Sequence, residues 1–219
     1  MIRADFHTHS DASPDGGITA AQYQILLGTV LDCVAVTDHN TIVAAQDLQK
    51  LLGSKIIVGE EITTLEGEII GLFLSEVVPA NLSALETVQH IKQQGGLVYI
   101  PHPFETVRKG LGVASLETIS EHVDIIEVHN GRAWLQNTTV QAEEWSVINK
   151  VPGAASSDAH GKGGVGKTFT ILEAMPTAGN LVSQLHKARL VSARPPMHSL
   201  LYPSYNRLRK KIQKGNKND

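Results

Sequence analysis

The chain has 219 residues, 42% of them hydrophobic and 19% charged, the ordinary make-up of a globular enzyme able to bury a sizeable core. A formal net charge of −3 gives no global reason to expect binding to nucleic acid or to a membrane. One cysteine, Cys33, excludes an internal disulfide. With no apolar signal segment and no run of membrane-spanning length, the expected location is the cytoplasm.

Short apolar runs alternate with longer amphipathic ones. In chain order they predict strands over 2–6, 33–37, 55–62, 68–74, 97–100, 125–129, 153–157 and 168–172. Between them, helices are expected over 19–29, 42–52, 83–94, 116–122, 138–149 and 180–188. Ser83 with Glu86 three residues on forms a capping box, and Gly95-Gly96 stops that helix. Cys33 falls in the apolar run "CVAVT" and reads as a buried structural thiol. The alternation argues a parallel sheet wound with helices, open or closed into a barrel. No internal repeat or linker divides it, so residues 1–206 read as a single domain. Residues 207–219 carry Arg207, Arg209, Lys210, Lys211, Lys214 and Lys217 against one acid. They read as a flexible, solvated basic tail, with contact to an anionic polymer as the alternative.

Ten histidines fall on this frame in a pattern. "DFHTH" puts His7 and His9 two residues apart where the first strand ends, so both lean to one face. "VTDHN" puts Asp38 and His39 after the second strand, and "VGEEI" puts Glu60 and Glu61 on the third. "IPHPF", "EVHN" and "SSDAH" add His102, His129, Asp158 and His160 at the ends of later strands. Any one of these alone would read as a surface or hydrogen-bonded side chain. In a parallel α/β barrel, however, strand C-termini share one rim, the usual place of an active site. Recurrence in one topological position points to a multinuclear metal site. Imidazole and carboxylate without thiolate suit Zn, Mn or Fe. Two or three such ions would activate a bridging water and clamp the oxygens of a phosphate ester.

In order, "DFHTHSDASPDG", "VTDHNT", "GEEI", "PHPF", "EVHNGR" and "SSDAH" resemble the polymerase and histidinol phosphatase (PHP) family of metal-dependent phosphoesterases. The resemblance runs from about Ile2 to near Arg189. It implies an α/β fold, a distorted barrel with seven strands rather than eight, and a trinuclear centre. Carried over position by position, it gives His7, His9, Glu61 and Asp158 to one metal. Glu61 bridges to a second that also takes His102, and a third takes Asp15, His39 and His160. His7, His9, Glu61, Asp158 and His160 would then carry catalysis, with a metal-bridging hydroxide attacking a small phosphorylated substrate or short nucleotide. No stable nucleic-acid complex is expected. On residues alone, Asp15 in "SPDG" is equally a turn aspartate.

One position departs from the pattern. Many compact members have a histidine on the strand after the bridging glutamate, and here Glu68 in "GEIIGLFL" aligns with it. A short connection, "TTLEG", predicts an antiparallel hairpin that would bring Glu68 to the rim as a metal ligand. Glu66 and His129 are the alternatives. Glu60 is expected to face away, because strand neighbours alternate. Arg108, Lys109 and Arg132, on loops beyond His102 and His129, are candidate phosphate contacts, though equally solvated charges.

"GKGGVGKT" at 161–168 matches the phosphate-binding P-loop letter by letter. A working P-loop opens a helix, whereas the residues that follow, "FTIL", read as a strand. A nucleoside triphosphatase is therefore disfavoured. An amidohydrolase acting on C–N bonds is the closer alternative, separable by counting metals.

Overall fold

The computed structural model describes residues 1–215. The eight predicted strands form where the apolar runs lie: β1 (Ile2–Asp5), β2 (Cys33–Val36), β3 (Ile56–Thr63), β4 (Glu68–Leu72), β5 (Leu97–Ile100), β6 (Ile125–Asn130), β7 (Gly153–Ser156) and β8 (Thr168–Leu172). A ninth, β9 (Arg189–Ser192), was not expected. They form one sheet in the order β7-β6-β5-β4-β3-β2-β1-β8-β9.

The run from β1 to β7 is the distorted seven-stranded barrel. Neighbours are parallel except at β4, which runs antiparallel to both β3 and β5. The seam closes at the rim. His9 N–H donates to Ala159 O at 2.9 Å, and Phe6 N–H donates to Ser156 Oγ at 3.3 Å. Lower down, β8 lies antiparallel to β1 and fills the seam, its Thr170 hydroxyl bonded to both Ala155 N and O. β9 extends that ribbon beyond the barrel, which makes the total nine.

Strand parity sorts the core into two sets. Ala4, Phe6, Cys33, Ala35, Ile57, Ile70, Tyr99, Ile125 and Ala154 fill the barrel interior. Alternate positions, among them Val34, Val36, Val58, Val98 and Ile126, face outward onto the helices. α1 (Ala20–Thr29) and α3 (Ala84–Gln93) each begin with a complete capping box, Thr19 with Gln22 and Ser83 with Glu86. α2 (Val43–Leu52) and α5 (Thr139–Asn149) are two further outer helices. The helix expected over 116–122 is α4 (Val113–Thr118) followed by a 3₁₀ turn, Ser120–His122. The one expected over 180–188 is shorter, α6 (Leu181–Leu185), because the chain turns there to enter β9.

The basic segment is not a free tail. α7 (Tyr202–Gly215) is a helix through Arg207, Arg209, Lys210 and Lys211; the rest of the predicted tail, residues 216–219, lies outside the described residues. Asn206 anchors it, donating from Nδ2 to the backbone oxygens of Asp15 (2.8 Å) and His160 (2.9 Å). Lys210 Nζ donates to Ser13 O and Gly16 O. The charge density that suggests a solvated tail conceals these polar anchors. Among the described residues, no helix is long and apolar enough to cross a membrane.

Candidate metal centre

The strand ends deliver the expected side chains to one rim. His7 and His9 follow β1, His39 follows β2, and Glu61 is at the inward parity of β3. A backbone bridge joins His39 to Glu61 and fixes their register. His102 follows β5, while Asp158 and His160 follow β7. His102 (φ 29°) and Asp158 (φ 49°) hold left-handed backbone conformations that non-glycine residues rarely adopt. Strain of this kind gathers where side chains must be aimed.

Their donor atoms converge. Glu61 Oε2 lies 3.4 Å from His7 Nε2, 3.2 Å from His9 Nε2 and 3.3 Å from His39 Nδ1, and Glu61 Oε1 lies 3.1 Å from His102 Nε2. Asp158 Oδ1 is 3.6 Å from His7 Nε2 and 3.5 Å from His9 Nε2. Asp15 Oδ2 is 3.6 Å from His39 Nε2 and 3.4 Å from His160 Nε2. Glu61 thus stands within 3.4 Å of four of the histidines. The hairpin brings Glu68 in too, 3.9 Å from His39 and 3.8 Å from His102, and it pairs with Thr63 at the rim end of β3.

These groups fit divalent ions. Among the described residues, four sets of three or four donors have all their ligand atoms within 4.8 Å of one another: His9-Asp15-His39-His160, His7-His102-Asp158, His7-His9-Glu61 and His39-Glu61-Glu68. Ligands at ~2.0–2.2 Å around a tetrahedral ion stand roughly 3.3–3.6 Å apart, within the 3.1–3.9 Å range seen here. His7 Nε2 and both ring nitrogens of His9 are buried without a hydrogen-bond partner, a cost that coordination would remove. Burial, and then the charge of Glu61, push the Glu68 carboxyl up to about 8, as expected where anions crowd without a cation between them.

Two supporting carboxylates complete the surroundings, and one of them, Glu127, was not singled out in the sequence. Glu127, at the inward parity of β6, accepts from Tyr99 Oη (2.9 Å), His102 N (2.7 Å) and Asn130 Nδ2 (2.7 Å), and sits 3.2 Å from His7 Nδ1. Burial opposes its charge, but His7 beside it holds the carboxyl below the usual range. An acid inside the apolar run "IIEVHN" was the available signal. Asp38 accepts from both Ser10 N (2.7 Å) and Ser10 Oγ (2.5 Å), shaping the turn after His9.

Other assignments sort cleanly. His129 turns outward to Glu143 (3.6 Å), and Glu66 caps α3 by accepting from Ala84 N (2.8 Å). Neither joins the centre. Glu60 faces away and accepts from Val78 N at 2.8 Å. The cleft over the centre, about 480 Å³, is lined by Arg108, Lys109 and Arg132 as expected, and also by Arg207 of α7. Arg108 Nη1 lies 2.5 Å from Asp158 Oδ2 and braces on Glu105 and Asn130; Arg132 Nη1 is 3.5 Å from the same oxygen. Arg207 Nη2 reaches Asp15 Oδ2 at 2.7 Å. The P-loop match fails on context: 161–167 is a loop packed on Tyr202, and β8 rather than a helix follows.

Comparisons with known proteins agree. A family model described as PHP-associated matches residues 140–190. An uncharacterized protein of Methanocaldococcus jannaschii, MJ1587, is 33% identical over 165 residues, covering 69% of this chain and 94% of that protein. A two-domain protein from Bacteroides vulgatus containing a predicted PHP-like metal-dependent phosphoesterase superposes with a TM-score of 0.73 at 17% identity, over 94% of this chain and 69% of that one. Endonuclease Q, in complex with a 27-mer duplex bearing an abasic lesion at the active site, superposes with a TM-score of 0.56 at 14% identity, over 85% of this chain and 56% of that one. At such identities the two superpositions speak for the fold alone. With the PHP-associated match, the ordered motifs and the converging side chains, the chain belongs to the polymerase and histidinol phosphatase family.

Proposed function

We propose that this protein is a metal-dependent phosphoesterase that hydrolyses a phosphomonoester or a nucleotide-type phosphoester at a centre of two to three divalent ions. The observation that carries this reading is the convergence of His7, His9, Asp15, His39, Glu61, Glu68, His102, Asp158 and His160 on one rim. When bound, ions of this kind supply a water activated at neutral pH and neutralise charge on the phosphoryl oxygens.

The chain's own residues do the rest. Glu127 holds the His7 ring through Nδ1, so that Nε2 faces Glu61 and Asp158. Asp158 stays ionised despite burial, because His7 and Arg132 stand beside it. Arg108, Lys109 and Arg132 at the mouth can take phosphate oxygens, the arginines in the two-pronged manner their planar forks allow. The substrate is a small phosphorylated molecule or short nucleotide; endonuclease Q shares the fold and takes a 27-mer duplex substrate, which keeps nucleotide-type esters in the class. A mononuclear or binuclear C–N hydrolase would need fewer ligands than these nine. Screening phosphomonoesters, nucleotides and short oligonucleotides with Mn, Zn and Fe tests the proposal. Ion-dependent phosphate release supports it; none with any ion, alongside amide or amine hydrolysis, rejects it.

A further inference from the structure

α7 (Tyr202–Gly215) lies on the barrel with its faces reversed. The residues it buries are Pro203 and the polar Asn206, while Lys210 reaches inward to Ser13 and Gly16. The residues it turns to solvent are apolar. Tyr205, Leu208 and Ile212 are 60%, 60% and 56% exposed, and Leu201 just before the helix is 66% exposed. At ~100° per residue, the three within the helix fall in a strip roughly 60° wide, with Arg209 on one flank and Lys211 on the other.

α5 (Thr139–Asn149) presents a counterpart of opposite charge. It buries Ala142 and Trp145 and turns out Val140, Val147 and Ile148, at 66%, 78% and 77% exposure. Glu143, which also meets His129 at 3.6 Å, edges that strip and Glu144 lies within it; with Val147 and Ile148 they line a shallow depression of about 350 Å³. Among the described residues, each helix thus carries an unpartnered apolar strip, one bordered by cations and the other edged and interrupted by anions.

We propose that α7 of one copy docks on α5 of a second copy of this chain, strip against strip, with Arg209 and Lys211 facing Glu143 and Glu144. Pairing α7 with α7 would instead set cations against cations, and α5 with α5 anions against anions; like charges across an interface oppose it. The two patches differ, so the contact is isologous only about a two-fold axis and heterologous otherwise. A two-fold axis satisfies it twice in a dimer, and any other closing rotation gives a ring. α7 also carries Asn206 and Arg207, which grip Asp15 and His160. Docking therefore pins one wall of the metal centre.

Analytical ultracentrifugation of the full chain in low salt tests this directly. The wild type should assemble at micromolar concentration. Leu208→Asp with Ile212→Asp should give monomers, as should Val147→Asp or Glu143→Lys with Glu144→Lys, each with an unchanged circular-dichroism spectrum. Combining that last pair with Arg209→Glu and Lys211→Glu should restore assembly. A monomeric wild type, assembly that survives the α5 substitutions, or failure of the charge-swapped variant to reassemble would overturn the proposal. So would a wild type that stays monomeric and sediments with phosphatidylglycerol vesicles, which would assign the α7 strip to an anionic lipid surface.

Discussion

Glu127 Oε1 lies 3.2 Å from His7 Nδ1, on the far side of the ring from the Nε2 that faces Glu61. The carboxylate fixes the tautomer and the aim of His7, and through His102 N it also steadies the neighbouring candidate ligand. Outer partners of this kind typically contribute ~10–100-fold to metal affinity or activity. Glu127→Gln should lower ion affinity or turnover by about that factor while leaving the fold intact. Metal titration and phosphate-release assays read it, and an unchanged variant would contradict this role.

Glu68 offers a test with a defined pH sign. Its carboxyl, pushed up to about 8 by burial and Glu61, binds its proton more tightly in the folded protein than in the unfolded chain, where the ordinary value is 4.5. In metal-free protein its contribution to stability is therefore fully present below pH 4.5 and is lost as the pH rises towards about 8. Comparing wild type with Glu68→Gln by chemical denaturation across that range should show the wild type losing ground to the variant at the alkaline end. Equal slopes would remove Glu68 from the cluster. With ions added, Glu68→Gln should retain Mn or Fe(II) less well relative to Zn, because the harder ions favour carboxylate.

Much of this was legible in the sequence, and the remainder was hidden for physical reasons. Apolar runs locate β1 to β8 because a strand buried on both faces needs them. The rim ligands stand out because polar, metal-binding side chains end those runs one after another. Glu127 was masked by His129 two residues away, since a β-bulge between them reverses the expected alternation. β9 has no apolar run to announce it: Arg189–Ser192 lies at the sheet edge, exposed at both ends. α7 reads as a tail because its buried contacts are polar and its apolar residues face out, the reverse of the usual surface helix.

Lys167 tests the P-loop match at 161–168. With a strand after it in place of a helix, no helix N-terminus is available to cradle phosphate. Lys167→Ala should keep a substantial part of the phosphoesterase activity, and calorimetry should find no ATP binding at this loop that the substitution removes. ATP binding lost in Lys167→Ala would revive the nucleotide reading.

Cys33 points into the barrel, where burial pushes its thiol up to about 12. The thiolate is the reactive form, so the native protein should resist thiol reagents at mildly alkaline pH and titrate one thiol only once unfolded. By the same linkage, the folded state gives up stability as the pH rises from about 9 towards about 12. Rapid labelling of native protein would show that the barrel interior opens.

The central claim is that the rim ligands hold a multinuclear, hydrolytic metal centre, and metal content measured together with activity tests it most directly. Protein purified without chelator should carry two to three transition-metal ions per chain by elemental analysis. Chelation should abolish phosphoester hydrolysis and added Mn or Zn should restore it, while Asp158→Ala and His9→Ala should lose both ions and activity yet remain folded. A chain with no bound metal and no activation by any added ion would contradict the account.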